Sequence, residues 1–134
     1  MQENNLFEYA VIRYVPRPER EEFLNVGVIL YCSSKKFLHM KFALNQNRIE
    51  AFYPDANVEE LKKYLEAFKE VCCGSSVDSP IAKLDIANRF RWLTATRSTI
   101  VQTSKVHPGF CEDPMEKLDR LHEQLVDNLR ADLI

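Results

Sequence analysis

Arginine set beside hydroxyl side chains is the chemistry that grips phosphate or carboxylate. The guanidinium presents N–H donors in a planar fork, and the hydroxyls add short-range bonds. Residues 89–109, RFRWLTATRSTIVQTSKVHPG, concentrate such groups: Arg89, Arg91, Arg97, Ser98, Thr99, Gln102, Thr103 and His107, with Trp92 among them. In a catalytic version His107 is the general acid–base and the arginines stabilise charge. In a bland version Arg89 and Arg91 sit on a solvated helix face, Arg97 pairs with an acidic neighbour and Trp92 belongs to the core. A second constellation is Arg13, near the end of an apolar run, with Glu22 and Asn25 opening the next run. Its bland version is a buried Arg13–Glu22 ion pair that fixes the loop between them. The candidate polar site is therefore Arg13, Glu22, Asn25, Arg89, Arg97, Ser98, Thr99, Gln102 and His107.

Other chemistries find little support. The chain has no G-x-G-x-x-G, Walker, H-E-x-x-H or G-x-S-x-G motif. Three glycines are too few for a Gly-rich phosphate cradle. His39 reads as a solvent-facing strand residue and His122 as a helix-surface residue. Cys32, Cys72, Cys73 and Cys111 form no C-x-x-C pair, so four thiols in a reducing compartment are expected and no metal site. No cofactor is called for.

The elements that must position these groups follow from periodicity. Residues 7–15, FEYAVIRYV, are aromatic and β-branched and stop at Pro16, which predicts a strand. The charged, Pro-rich stretch after it is a loop. Residues 25–32, NVGVILYC, predict a central strand covered on both faces, with Gly27 marking a bulge or a close approach. Residues 37–42 alternate as a half-exposed third strand, after a polar turn. A helical turn is expected over 47–52. Asn57 as N-cap, an apolar stripe through Leu61, Leu65, Phe68 and Cys72, and Gly74 just beyond predict a long amphipathic helix. Residues 74–80 read as a loop. Asp85 caps a short helix over 86–93, residues 97–103 predict a fourth strand, and 105–114 a loop. Asp113 and Pro114 open a last helix over 115–129, with Leu118, Leu121, Leu125 and Leu129 in line.

Strands grouped before helices indicate α+β. The expected architecture is an antiparallel sheet of about four strands with two long amphipathic helices packed on one face. If the fourth strand pairs antiparallel to the first, Arg97 arrives at the sheet end that carries Arg13, and His107 folds back over it.

Composition sets the frame. The chain has 134 residues, 46% hydrophobic and 28% charged, which suits a single domain over 1–134 rather than disorder. Its 18 basic and 20 acidic side chains give a net charge of −2, unlike a protein that coats nucleic acid. Residues 1–5 are polar and lack the apolar core of a signal peptide, and no apolar run is long enough to span a bilayer. A cytoplasmic protein without membrane attachment is expected.

Several blocks carry a family resemblance. They are YAVIRYVP over 9–16, EFLNVGV over 22–28, RFRWLTA over 89–95 with Arg97-Ser98-Thr99, and Val106-His107 with Gly109. Together they resemble a bacterial family known as domain of unknown function 3037, along residues 7–126. The chain departs from that pattern at Thr96, where proline is more usual. The resemblance implies no established activity. It does imply a protein partner, because members are often encoded beside a protein resembling HipA-type kinases.

Two functional readings follow. In the first, an accessory or regulatory protein presents a surface to a partner such as a HipA-like kinase. In the second, a small domain or enzyme binds a phosphate-bearing ligand, a nucleotide or a nucleic acid through the Arg/Ser/His site.

Overall fold

A computed structural model describes residues 5–74 and 79–127. Residues 1–4, 75–78 and 128–134 lie outside the described set, so the loop expected over 75–78 and the expected helix position Leu129 fall outside it. The element order is β1 (Asn5–Tyr14), β2 (Leu24–Cys32), β3 (Phe37–Phe42), α1 (Gln46–Phe52), α2 (Val58–Cys73), α3 (Ile86–Leu93), β4 (Val101–Thr103), β5 (His107–Cys111) and α4 (Pro114–Leu125). The fold is α+β, and every strand pairing among the described residues is antiparallel.

The helices start and stop where side chains can satisfy their orphan backbone groups. Asn57 accepts from the Glu60 N–H, Asp85 from Asn88, and Asp113 from Met115. Gly74 closes α2 in the left-handed region at φ 69, donating to the carbonyls of Glu70 and Val71.

The sheet runs β3-β2-β1-β4, with β5 also paired to β1. The far edge of β1 is shared: β5 covers Asn5–Tyr9 and β4 covers Ile12–Tyr14. The fifth strand lies in residues 105–114, where a loop was expected. Gly109 allows it, because a Cβ there would stand 2.6 Å from the ring of Phe7 on the neighbouring strand. Strand β4 is shorter than the seven residues expected, and Arg97 precedes it.

Between β1 and β2 the register shifts from Ile12↔Gly27 to Arg13↔Asn25, so Val26 is the extra residue of a bulge. Gly27 meets the close approach its residue type suggests. A Cβ at that position would lie 2.7 Å from the Lys41 carbonyl oxygen.

Both long helices pack on the sheet, but on opposite faces rather than the single face expected. On one face Ala10, Ile12, Tyr14, Ile29 and Met40 meet Leu61, Leu65 and Phe68 of α2 and Phe90 and Leu93 of α3. On the other, Phe7, Val28, Leu30 and Cys32 meet Leu118 and Leu121 of α4. The reason lies in β2. A strand whose residues Val26 to Leu30 are all buried has apolar side chains on both faces and needs a layer on each. Each large side chain so buried contributes about 1.5–3 kcal/mol.

His122 is a second correction. It is 1% exposed, although a surface position was expected. It is buried with Leu118 and Leu121 on the inward stripe of α4. Trp92, assigned to the core in the bland version, is 42% exposed.

Candidate functional site

Four of the candidate residues meet at one end of the sheet. Strand β1 ends at Tyr14, and the chain turns through a short 3-10 segment, Pro18–Arg20, before β2 begins. The connection from α3 to β4 runs alongside. Together they enclose a cleft of about 320 Å³ lined by Arg13, Val15, Pro18, Glu21, Phe23, Arg97, Ser98 and Gln102.

Arg13 is half-buried in the floor of this cleft, opposite Gln102 in the β1–β4 ladder. Its guanidinium carbon lies 3.8 Å from the centroid of the Phe23 ring. The Nε of Arg13 is buried and has no acceptor. Among the described residues no carboxylate lies within ion-pair distance of it. Burial without a counter-charge pushes its pKa down from the ordinary arginine value. The side chain nevertheless stays cationic, since an arginine pKa starts so far above neutrality.

The loop explains why Phe23 stands there. Glu21 adopts φ 57, in the left-handed region, and its N–H bonds to the Pro18 carbonyl. A non-glycine residue in that region costs roughly 1 kcal/mol. The turn keeps the loop charges to themselves. Arg17 pairs with Glu19 at 2.7 Å and Arg20 with Glu22 at 2.8 Å, both exposed. The expected Arg13–Glu22 pair is therefore absent. Glu22 is held below the usual carboxylate range by Arg20 instead.

Arg97 does two things. Its Nη1 donates to the Leu93 carbonyl at 3.0 Å and its Nη2 to the Trp92 carbonyl at 2.6 Å. It thereby caps the last turn of α3, where a cation is favoured by the helix dipole. Two of its five N–H donors are spent in this way. Its guanidinium also stacks 4.6 Å from the Trp92 ring. As with Arg13, burial pushes its pKa down. Ser98 is an exposed hydroxyl on the cleft rim. Thr99 is turned inward on its own chain, its Oγ1 donating to the Val101 carbonyl and its carbonyl accepting from Gln102 Nε2.

The other candidates lie elsewhere. Asn25 pairs with Arg13 in the ladder, but its Nδ2 donates to the Leu125 carbonyl at the end of α4. Arg89 joins two helices by donating to the carbonyls of Leu84 and Cys72. His107 pairs with Tyr9, ring centroids 5.3 Å apart. Tyr9 is four residues before Arg13 on β1, about 13 Å away at a strand's rise. His107 does not fold back, because β5 carries the chain on along β1 away from the cleft.

Phe23 is the contributor that sequence reasoning missed. An aromatic residue next to Glu22 in a charged loop gave no sign that it would lie on Arg13. Its one available signal was position: it directly follows the turn that must bring the loop back to the sheet. Among the described residues no group of three or more His, Cys, Asp or Glu is placed to hold a metal ion. The buried Cys72 thiol is pushed up to about 12, far from a reactive thiolate. Among the described residues, no helix is long and apolar enough to cross a membrane.

A family model, described as a protein of unknown function (DUF3037), matches residues 9–126. No curated protein and no solved structure matches the chain.

Proposed function

We propose that this chain, which belongs to the DUF3037 family, is a non-catalytic binding protein that recognises an anionic group of a partner in the Arg13 cleft. The observation that carries the reading is the state of Arg13: a desolvated cation on an aromatic ring, its buried Nε without an acceptor. A half-buried cation with no carboxylate in ion-pair distance among the described residues is favoured by an arriving counter-charge. An incoming carboxylate or phosphate supplies that counter-charge to the side of the guanidinium that lines the cleft. Ser98 and Gln102 on the wall supply further polar contacts, and Arg97 supplies positive potential. The partner implied by the family resemblance, a HipA-like kinase, fits this role as the bearer of the anionic group. His107 stands too far along β1 to act as acid–base at the cleft, which favours binding over catalysis.

Thermal melts test this. A ligand that binds only the folded state raises the melting temperature. Phosphate also stabilises proteins generally by exclusion from their surface, so the informative quantity is the difference between wild type and Arg13→Met. Acetate and phosphate at constant ionic strength should stabilise the wild type more than the variant. Equal responses would contradict the reading.

A further inference from the structure

Arg97 lines a second surface. On its other side, Tyr64, Phe68 and Val71 of α2, Trp92 of α3 and Val101 of β4 form a mostly apolar groove of about 230 Å³. Tyr64 is 47% and Trp92 42% exposed. Exposed aromatic residues beside a half-buried arginine have the composition of a protein-binding hot spot. The cleft and the groove are neighbours, with Arg97 as the wall they share.

We infer that cleft and groove form one peptide-binding surface, whose occupant is an extended partner segment carrying a carboxylate side chain for Arg13 and an aromatic or large aliphatic side chain for the Tyr64–Trp92 groove. The inference rests on the anion reading above and names the partner's chemistry. Charge complementarity selects the acidic half. Among the described residues no carboxylate lies within ion-pair distance of Arg13, and Arg97 keeps three N–H donors beyond its cap.

The same geometry selects a carboxylate over a phosphate. The C-terminal carbonyls of α3 face Arg97 and offset part of its charge, and Glu21 lines the cleft. A dianion meets more repulsion there than a monoanion does. The planar carboxylate also matches the guanidinium fork. The apolar half follows from the groove, whose rings gain by losing water. In an extended peptide, side chains about two or three residues apart span roughly 7–10 Å, enough to reach from one side of Arg97 to the other.

The test is selection of a random peptide library, displayed on phage, against the full chain. The enriched sequences should carry Asp or Glu within a few residues of an aromatic or large aliphatic side chain. The best peptide, synthesised with both ends capped, should bind Arg13→Met and Trp92→Ala each about tenfold more weakly than wild type. Tyr64→Ser is the companion variant, since it removes a groove ring without touching the Arg97 stack. Circular dichroism melts check that each variant folds. Acidic sequences indifferent to both Trp92→Ala and Tyr64→Ser would overturn this inference while leaving the anion reading intact. Enrichment without acidic residues, no enrichment, or indifference to Arg13→Met would overturn both. Tighter binding when phosphoserine replaces the acidic residue would overturn the choice of carboxylate.

Discussion

The guanidinium of Arg13 faces the ring of Phe23 at 3.8 Å, while the neighbouring Glu22 turns outward to Arg20 at 2.8 Å. One position along the loop decides between two proteins. With Glu22 over Arg13 the strand end would hold a closed ion pair. With Phe23 over it, a cation faces a cleft with its charge uncompensated.

Removing that charge should leave the fold nearly intact. In Arg13→Met the cation–π contact is lost, worth about 0.5–1 kcal/mol, while the desolvation penalty of the charge disappears. Urea unfolding should place the variant within about 1 kcal/mol of wild type. A buried ion pair would instead give a loss of about 3–5 kcal/mol, and a loss of that size would refute the arrangement.

Arg97→Met should behave differently. It strips the Trp92 and Leu93 carbonyls of their caps and should destabilise by about 1–2 kcal/mol. Arg97→Lys should recover only part of the loss, because an ammonium cannot reproduce the planar fork. Matching stabilities for wild type and Arg97→Met would show that the cap is dispensable.

His122 makes stability depend on pH. Burial lowers its pKa, with Lys41 adding to the shift and Asp127 and Asp119 opposing it. Its Nδ1 lies 3.3 Å from an Asp127 carboxylate oxygen but outside hydrogen-bonding geometry. The folded state thus binds the proton less readily than the unfolded chain, whose histidine titrates near about 6.5. The contribution is fully present above that value and declines as pH falls through it towards the lowered folded pKa. Urea midpoints should therefore fall faster on acidification in wild type than in His122→Leu. Asp127→Asn should steepen the decline. Parallel curves for wild type and His122→Leu would contradict the assignment.

Gly27→Ala should be costly for its size. The new methyl would sit 2.7 Å from the Lys41 carbonyl oxygen, which is backbone and cannot rotate away. Overpacking of this kind destabilises by about 1–3 kcal/mol. A melting temperature equal to that of wild type would mean that β2 and β3 separate more easily than their spacing suggests.

Local signals in the sequence carried most of the fold. Asn57, Gly74, Asp85 and the Asp113-Pro114 pair marked helix ends because capping is a short-range interaction. Alternation and apolar runs marked β1, β2 and β3 for the same reason. The edge strand β5 was hidden because Pro108 and Gly109 are loop residues by composition, and only the Phe7 ring beside them explains the glycine. His122 was legible in principle. It lies at helical spacing from Leu118 and Leu125, so the inward stripe included it, while its polarity suggested the surface. The helices' two-face arrangement was implicit in the unbroken apolar run of β2. Of the site, Arg13, Arg97, Ser98 and Gln102 were brought together as the pairing of β4 with β1 suggested. Glu22, Arg89 and His107 were not, because a loop turn, a helix–helix link and the course of β5 are tertiary facts with no local signature.

The most direct measurement is the proton–nitrogen correlation signal of the Arg13 Nε–H, assigned by its disappearance in Arg13→Met. It should be followed as acetate, then phosphate, is added at constant ionic strength. A group of this kind binding a free anion is expected in the millimolar range, about −4 kcal/mol. The account predicts that the Arg13 signal shifts and saturates there, ahead of Arg17 and Arg20, which already hold Glu19 and Glu22. A signal that does not move, or that moves no more than those of Arg17 and Arg20, would contradict it.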